Sequence, residues 1–114
     1  IDRFIDSTIA YQHYGMNIDK NLIYSINNFI FKNIKVNFTF LHLVSSKNLN
    51  TRLNQRVRLN KYDKFSASFY NKVQKGFVKL SKINKKKYLI IDLNNKIYDN
   101  KKLIISKIKK VLNI

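Results

Sequence analysis

Cysteine, proline and tryptophan are absent from the chain, glycine occurs twice, and six acidic residues face 23 lysines and arginines. Without cysteine there is no disulfide framework and no thiolate metal site, which agrees with a cytoplasmic location. The two glycines, Gly15 and Gly76, cannot build a Gly-x-x-x-x-Gly-Lys-Ser/Thr loop, so nothing in these residues can cradle the β- and γ-phosphates of a nucleotide. No apolar run approaches the roughly 20 residues of a membrane-spanning helix, and no segment is built like a secretory signal. A membrane partner is not expected.

The scarcity of acids leaves a formal charge of +17 over 114 residues. Taken alone, such a balance points to nucleic acid or another polyanion. The excess is mostly lysine, however, and it accompanies abundant asparagine and isoleucine, a composition that A- and T-rich coding produces. The lysines are spread along the chain, and Lys85-Lys86-Lys87 is too short to be a tail. Solvated lysine faces therefore account for the charge better than a nucleic-acid surface does. A hydrophobic share of 45% fits one globular domain or part of one.

Along the chain, Ile1, Phe4 and Ile5 predict the end of a strand over residues 1–5, followed by a turn or short helix through Ser7–Gln12 towards Gly15. Ile18, Leu22, Ile23, Ile26, Phe29 and Ile30 recur at helical period, with Asn17 as a candidate N-cap and Asp19 in the first turn. Val36–Val44 is short and nearly continuously apolar, as a buried parallel strand would be. Ser45 and Ser46 can cap a helix over about 47–57, with Leu49, Leu53 and Val57 inward. After a polar hinge at Arg58–Tyr62, a longer helix from Asp63 carries Phe65, Phe69, Val73, Phe77 and Leu80 at helical spacing, interrupted at small cost by Gly76. Tyr88–Asp92 reads as a second buried strand, and a last helix starts at about Asn100. Strands alternating with helices predict an α/β fold with a parallel sheet.

Candidate chemistry is densest at the start, in Asp2-Arg3-Phe4-Ile5-Asp6-Ser7-Thr8-Ile9-Ala10-Tyr11-Gln12. An arginine fork can take two phosphate oxygens, a carboxylate can hold Mg²⁺ or its water shell, and a hydroxyl, an aromatic ring and an amide can meet a phosphorylated ligand with a flat base. An Asp-Arg pair alone is more often a surface ion pair. Its placement where a parallel strand meets a ligand favours the binding role. His13 and His42 stand far apart, with no acidic cluster at their spacing, and are not read as catalysts; His13 is a candidate for the rim of a nucleotide pocket. The tyrosine and phenylalanine stripes are core first.

Asp-Arg-x-x-x-Ser-x-x-Ala-Tyr-Gln, continued by Tyr14-Gly15, resembles the signature of the thymidylate kinase family. The similarity continues in Arg52-Leu-Asn-Gln-Arg56, in Asn60-Lys61-Tyr62-Asp63, where the family usually has Asp-Arg, and in Phe69-Tyr70. The run Val36-Asn-Phe-Thr-Phe-Leu-His-Leu-Val44 resembles a family strand through Thr39 and Val44, and Ile91-Asp92 the strand end before the adenine-side loop. The resemblance implies a P-loop NTPase-like three-layer α/β/α fold with a parallel sheet, its N-terminal part missing. Residues 1–114 would be the C-terminal part of one nucleoside monophosphate kinase-like domain, with an acceptor-site motif at 1–16 and a lid at about 52–63.

The implied activity is ATP-dependent phosphorylation of dTMP to dTDP in dTTP biosynthesis, performed by the full-length protein with Mg²⁺ as a homodimer. Arg3 would clamp the dTMP phosphate, Asp2 would serve Mg²⁺ indirectly and contact substrate, and Ser7, Tyr11 and Gln12 would line the acceptor pocket. Arg52, Arg56 and Arg58 would be lid cations for the transferring phosphoryl group. Without a P-loop, these residues alone are expected to be inactive. Another nucleoside or nucleotide kinase of the same fold, or a basic nucleic-acid-binding module without catalysis, are the alternatives; nucleic acid is the less expected partner.

Overall fold

The structure, a computed structural model, describes residues 1–55 and 66–114. In chain order the elements are α1 (Ile5–Thr8), which runs on without a break into a π-helical segment (Ile9–Gly15), α2 (Lys20–Phe31), β1 (Thr39–Leu43), α3 (Ser46–Asn54), α4 (Ala67–Ile83), a 3₁₀ turn (Lys85–Lys87), β2 (Tyr88–Asp92) and α5 (Ile97–Leu112).

Local chemistry explains most of the boundaries. Asp19 caps α2 by accepting the Leu22 N–H at 2.8 Å, while Ser45 and Ser66 accept from Asn48 and Phe69 to cap α3 and α4. Asn17, the expected cap of α2, instead takes the left-handed conformation (φ 59°) and donates its backbone N–H to the His13 carbonyl. Asparagine tolerates that region better than most residues, which is why it ends the π-helical segment. α5 closes with Asn113, also left-handed, while the Ile114 N–H reaches the Lys109 carbonyl at 3.0 Å. It begins three residues before the expected Asn100.

β1 and β2 pair in parallel, Thr39 opposite Tyr88 through Leu43 opposite Asp92. The parallel sheet agrees with the expected class. The strand predicted over residues 1–5 does not form: Arg3 has φ 59°, and helix begins at Ile5. A strand exists through the bonds it makes to a neighbour, and a left-handed residue breaks the extended path. The two strands are also less buried than their apolar sequences suggest. Leu41 and Ile91 are buried, but His42 and Ile90 are exposed, because a two-stranded sheet leaves faces and edges open.

The core lies beside the sheet, where the π-helical segment packs on α4. One cluster joins Ile9, Ile23 and Leu80; another joins Ala10, Tyr11 and Val73, with Phe69 and Phe77 against it. Both glycines of the chain sit in this seam. A Cβ on Gly76 would stand 2.6 Å from Tyr14 Cδ2 and 2.8 Å from Tyr14 Cβ, and one on Gly15 would stand 2.6 Å from the Phe69 ring. Gly76 therefore does not interrupt α4; it lets α4 and the π-helical segment approach. By contrast, α2 and α5 turn Leu22, Phe29, Ile30, Leu103, Val111 and Leu112 to solvent. The radius of gyration, 15.4 Å, accordingly exceeds the roughly 13 Å of a compact domain of about 100 residues.

Helix propensity alone says Gly76→Ala should gain up to about 1 kcal/mol. The clash with the rigid Tyr14 ring reverses the sign, and the variant is expected to lose about 1–3 kcal/mol. Urea unfolding followed by circular dichroism checks this, and an unchanged or raised midpoint would show that the seam is not tight.

Candidate functional site

Partners along the seam set the direction of the first helix. Ile9 meets Leu80, Tyr11 meets Phe77 and Phe69, and Gly15 lies against Phe69, so this segment runs antiparallel to α4. Its start is tied to the amino end of β2, where the Tyr88 hydroxyl donates to Asp6 Oδ2. Sequence reasoning expected Asp2-Arg3 at the carboxyl end of a strand. Here the helix that follows them begins instead at the amino end of β2.

Around Arg3 the local geometry is specific. The residue takes a conformation that side chains other than glycine rarely adopt (φ 59°), and its guanidinium carbon stands 5.2 Å from the centroid of the Tyr11 ring. Tyr11 is buried between Phe69 and Phe77, with ring centroids 5.9 and 6.4 Å away. The motif's Arg and Tyr are thus brought together, with the aromatic ring as a supported platform. Phe4 packs against Phe31 with its ring tilted, centroids 4.7 Å apart, and its carbonyl accepts the Ser7 N–H at 3.1 Å. Ser7 and Gln12 are half-buried and Asp2 is exposed. The π winding of Ile9–Gly15, uncommon and frequent at functional sites, coincides with Ala10-Tyr11-Gln12. His13 fixes the end of that winding by donating Nδ1–H to the Ile18 carbonyl at 2.8 Å.

A second region occupies the carboxyl ends of the two strands. A cavity of about 580 Å³ opens between the sheet and α4, lined by Val44, Gln74, Lys75, Val78, Asp92 and Asn94 among others. Its size is that of a small-molecule pocket. Arg52 stands nearby on α3 and donates Nη2–H to the Leu93 carbonyl at 2.9 Å. Arg3 and Arg52 are therefore anchored to different parts of the molecule. Arg56 and Arg58, with Val57, Lys61, Asp63 and Phe65, lie outside the described residues. Among the described residues no group of three or more His, Cys, Asp or Glu could hold a metal ion. Asp2 is exposed, so it offers a metal one carboxylate and no cage.

Asp6, Tyr88, Asn48 and Asn94 escaped the sequence reading. Asp6 and Tyr88 are 82 residues apart, and no local pattern pairs them. Burial, then the hydrogen bond and charge of Asp6, raise the Tyr88 phenol well above its ordinary value.

The profile of the thymidylate kinase family matches residues 1–104. The chain is 39% identical over 80 residues to the thymidylate kinase of Wolbachia sp. subsp. Brugia malayi (strain TRS), covering 70% of this chain and 37% of that protein. It is 33% identical over 114 residues to that of Wolbachia pipientis subsp. Culex pipiens (strain wPip), covering 96% and 54%. Against the thymidylate kinase of Onion yellows phytoplasma (strain OY-M) it is 34% identical over 116 residues, covering 99% and 56%. The chain spans 37 to 56% of the length of these relatives.

The raised Tyr88 pKa has a stability consequence. The folded state holds this proton more tightly than the unfolded chain, so the contribution is complete below the ordinary phenol value of about 10 and is lost as pH rises above it. In Tyr88→Phe this alkaline loss is expected to shrink. Unfolding midpoints from about pH 8 to 11 for both proteins check it, and parallel curves would show that Tyr88 is not held protonated by the fold.

Proposed function

Because the chain belongs to the thymidylate kinase family, we propose that the full-length protein transfers the γ-phosphoryl of ATP to dTMP, giving dTDP for dTTP biosynthesis. The observation that carries the reading is the family match over residues 1–104, which includes a segment where Arg3 is held in a left-handed conformation over the Tyr11 ring. A guanidinium fixed in this way can offer two parallel N–H donors to one phosphate group, while a ring at its side can pack against a base.

In this reading Arg3 clamps the dTMP phosphate, and Ser7, Tyr11 and Gln12 line the acceptor pocket. Asp2 would hold Mg²⁺, which when bound would supply charge neutralisation on the transferring phosphoryl group. Arg52 serves the donor side from α3, and Arg56 and Arg58 are lid cations. The cavity at the carboxyl ends of the strands offers room for part of a nucleotide. The chain has no Gly-x-x-x-x-Gly-Lys-Ser/Thr, so the β- and γ-phosphate cradle must come from residues outside it, and residues 1–114 alone are inactive. The open apolar faces of α2 and α5 suit a homodimer of the complete protein, working in the cytoplasm. Among the described residues no helix is long and apolar enough to cross a membrane.

The test is a coupled assay of the full-length protein with ATP, Mg²⁺ and dTMP. Arg3→Ala should reduce kcat/KM for dTMP roughly 10- to 100-fold, the scale of losing hydrogen bonds to a charged group. Arg3→Lys should recover only part, because an ammonium keeps the charge without the fork. Unchanged phosphorylation of dTMP by Arg3→Ala would remove Arg3 from the site.

A further inference from the structure

α3 presents a physical problem. It is nine residues long and leaves Leu49 and Leu53 only half-buried, so helix propensity and apolar packing support it weakly. Polar contacts add to that support. Ser46 Oγ donates to Asn71 Oδ1 on α4 at 2.6 Å, and a second group of bonds reaches the turn after β2. There Asn94 Oδ1 accepts both Asn48 Nδ2–H at 2.5 Å and the Ser45 hydroxyl at 3.4 Å. The turn is itself fixed, because the Asn94 N–H donates to Asp92 Oδ1 at 2.8 Å and the Leu93 N–H to the Leu43 carbonyl at 2.8 Å.

Asn48 and Arg52 stand four residues apart and so share one face of α3. With Asn48 on Asn94, Arg52 falls beside Leu93 and donates one N–H to its carbonyl. That single bond is exposed to water, and the entropy lost in ordering a long arginine side chain opposes it. It holds the guanidinium best when α3 and the turn are already in register.

We infer that Asn94 is a positioning residue: its side-chain oxygen holds Asn48, and through α3 this keeps Arg52 on the Leu93 carbonyl, with the guanidinium's remaining N–H donors presented to a nucleoside triphosphate. Asn94 also lines the cavity at the strand ends, so the residue that holds α3 borders that space, and the Leu93 carbonyl that takes Arg52 is its neighbour in the chain. The inference rests on the kinase reading for its ligand, but the Asn94–Arg52 linkage can be read without it.

The experiment uses the full-length protein with Asn94→Ala, Arg52→Ala and the double variant. Asn94→Ala should raise KM for ATP roughly 3- to 10-fold, the equivalent of one hydrogen bond, and leave KM for dTMP within about 2-fold. In the Arg52→Ala background the same substitution should change KM for ATP no further, because the residue through which it acts is gone. Equal effects in both backgrounds, or equal rises in both KM values, would overturn the inference in favour of general loosening. Nitrogen-15 NMR of the arginine side chains supplies the reading that needs no turnover. Solvent exchange of the Arg52 Nη2 protons, which donate to the Leu93 carbonyl, should be several-fold faster in Asn94→Ala, and unchanged exchange would also overturn it. A wild-type protein with no phosphotransfer to dTMP would defeat the kinase reading, while the NMR result would still decide the linkage.

Discussion

The close approach of the π-helical segment and α4 is the constraint on which the rest of the arrangement depends. Two glycines without side chains permit it, one on each helix, and each faces an aromatic ring of the other. Once the backbones are that near, Tyr11 is forced between Phe69 and Phe77, and its ring becomes a fixed surface. Arg3 uses that surface, since a guanidinium over a buried ring gains attraction without being desolvated on its far side. A chain with so little glycine has placed both where a methyl group would not fit.

Much of this was legible from the sequence, because it depends on local periodicity. The stripe Phe69, Val73, Phe77 and Leu80 packs as its spacing implies, and Ser45 caps the helix that follows it. What could not be read depends on distant partners. Residues 1–5 look like a strand, but strand character requires a neighbour. Gly76 looked like a flaw in a helix because propensity is a property of one residue, whereas the Tyr14 ring that needs the space is 62 positions away. The Asp6–Tyr88 bond is illegible for the same reason. Asn17 is the expected cap of α2 and Asp19 a first-turn residue, yet Asp19 is the cap, because Asn17 is taken up by the left-handed turn before it.

The two candidate binding regions are held by different physics. Around Arg3 the support is apolar and aromatic, so it is stiff and will respond sharply to changes of volume. Around Arg52 it is a chain of hydrogen bonds between neutral amides, ended by the guanidinium's single bond to a carbonyl, all in competition with water. A rigid clamp and a lightly held cation are suited to different tasks. In the proposed reading the first would select one phosphate ester by its geometry, and the second would follow the small displacements that accompany binding and release of a larger nucleotide.

The charge balance bears on the same question. Six carboxylates cannot pair with 23 cations, so most lysines must be stabilised otherwise or remain solvated. Several extend over aromatic faces: Lys20 over Tyr24, Lys79 over Tyr14, Lys102 over Tyr98 and Lys107 over Phe38, at 4.5 to 5.5 Å. Such contacts keep the ammonium in water while the stem covers apolar surface, which partly screens faces left open by a small core. They do not cancel the field. A net charge of +17 attracts polyanions without regard to sequence or base, and the proposed substrates dTMP and ATP are both polyanions. The same charge that would permit weak binding to nucleic acid would therefore raise the encounter rate with the proposed substrates, and in that reading discrimination between them would fall to the shaped contacts at Arg3 and Tyr11.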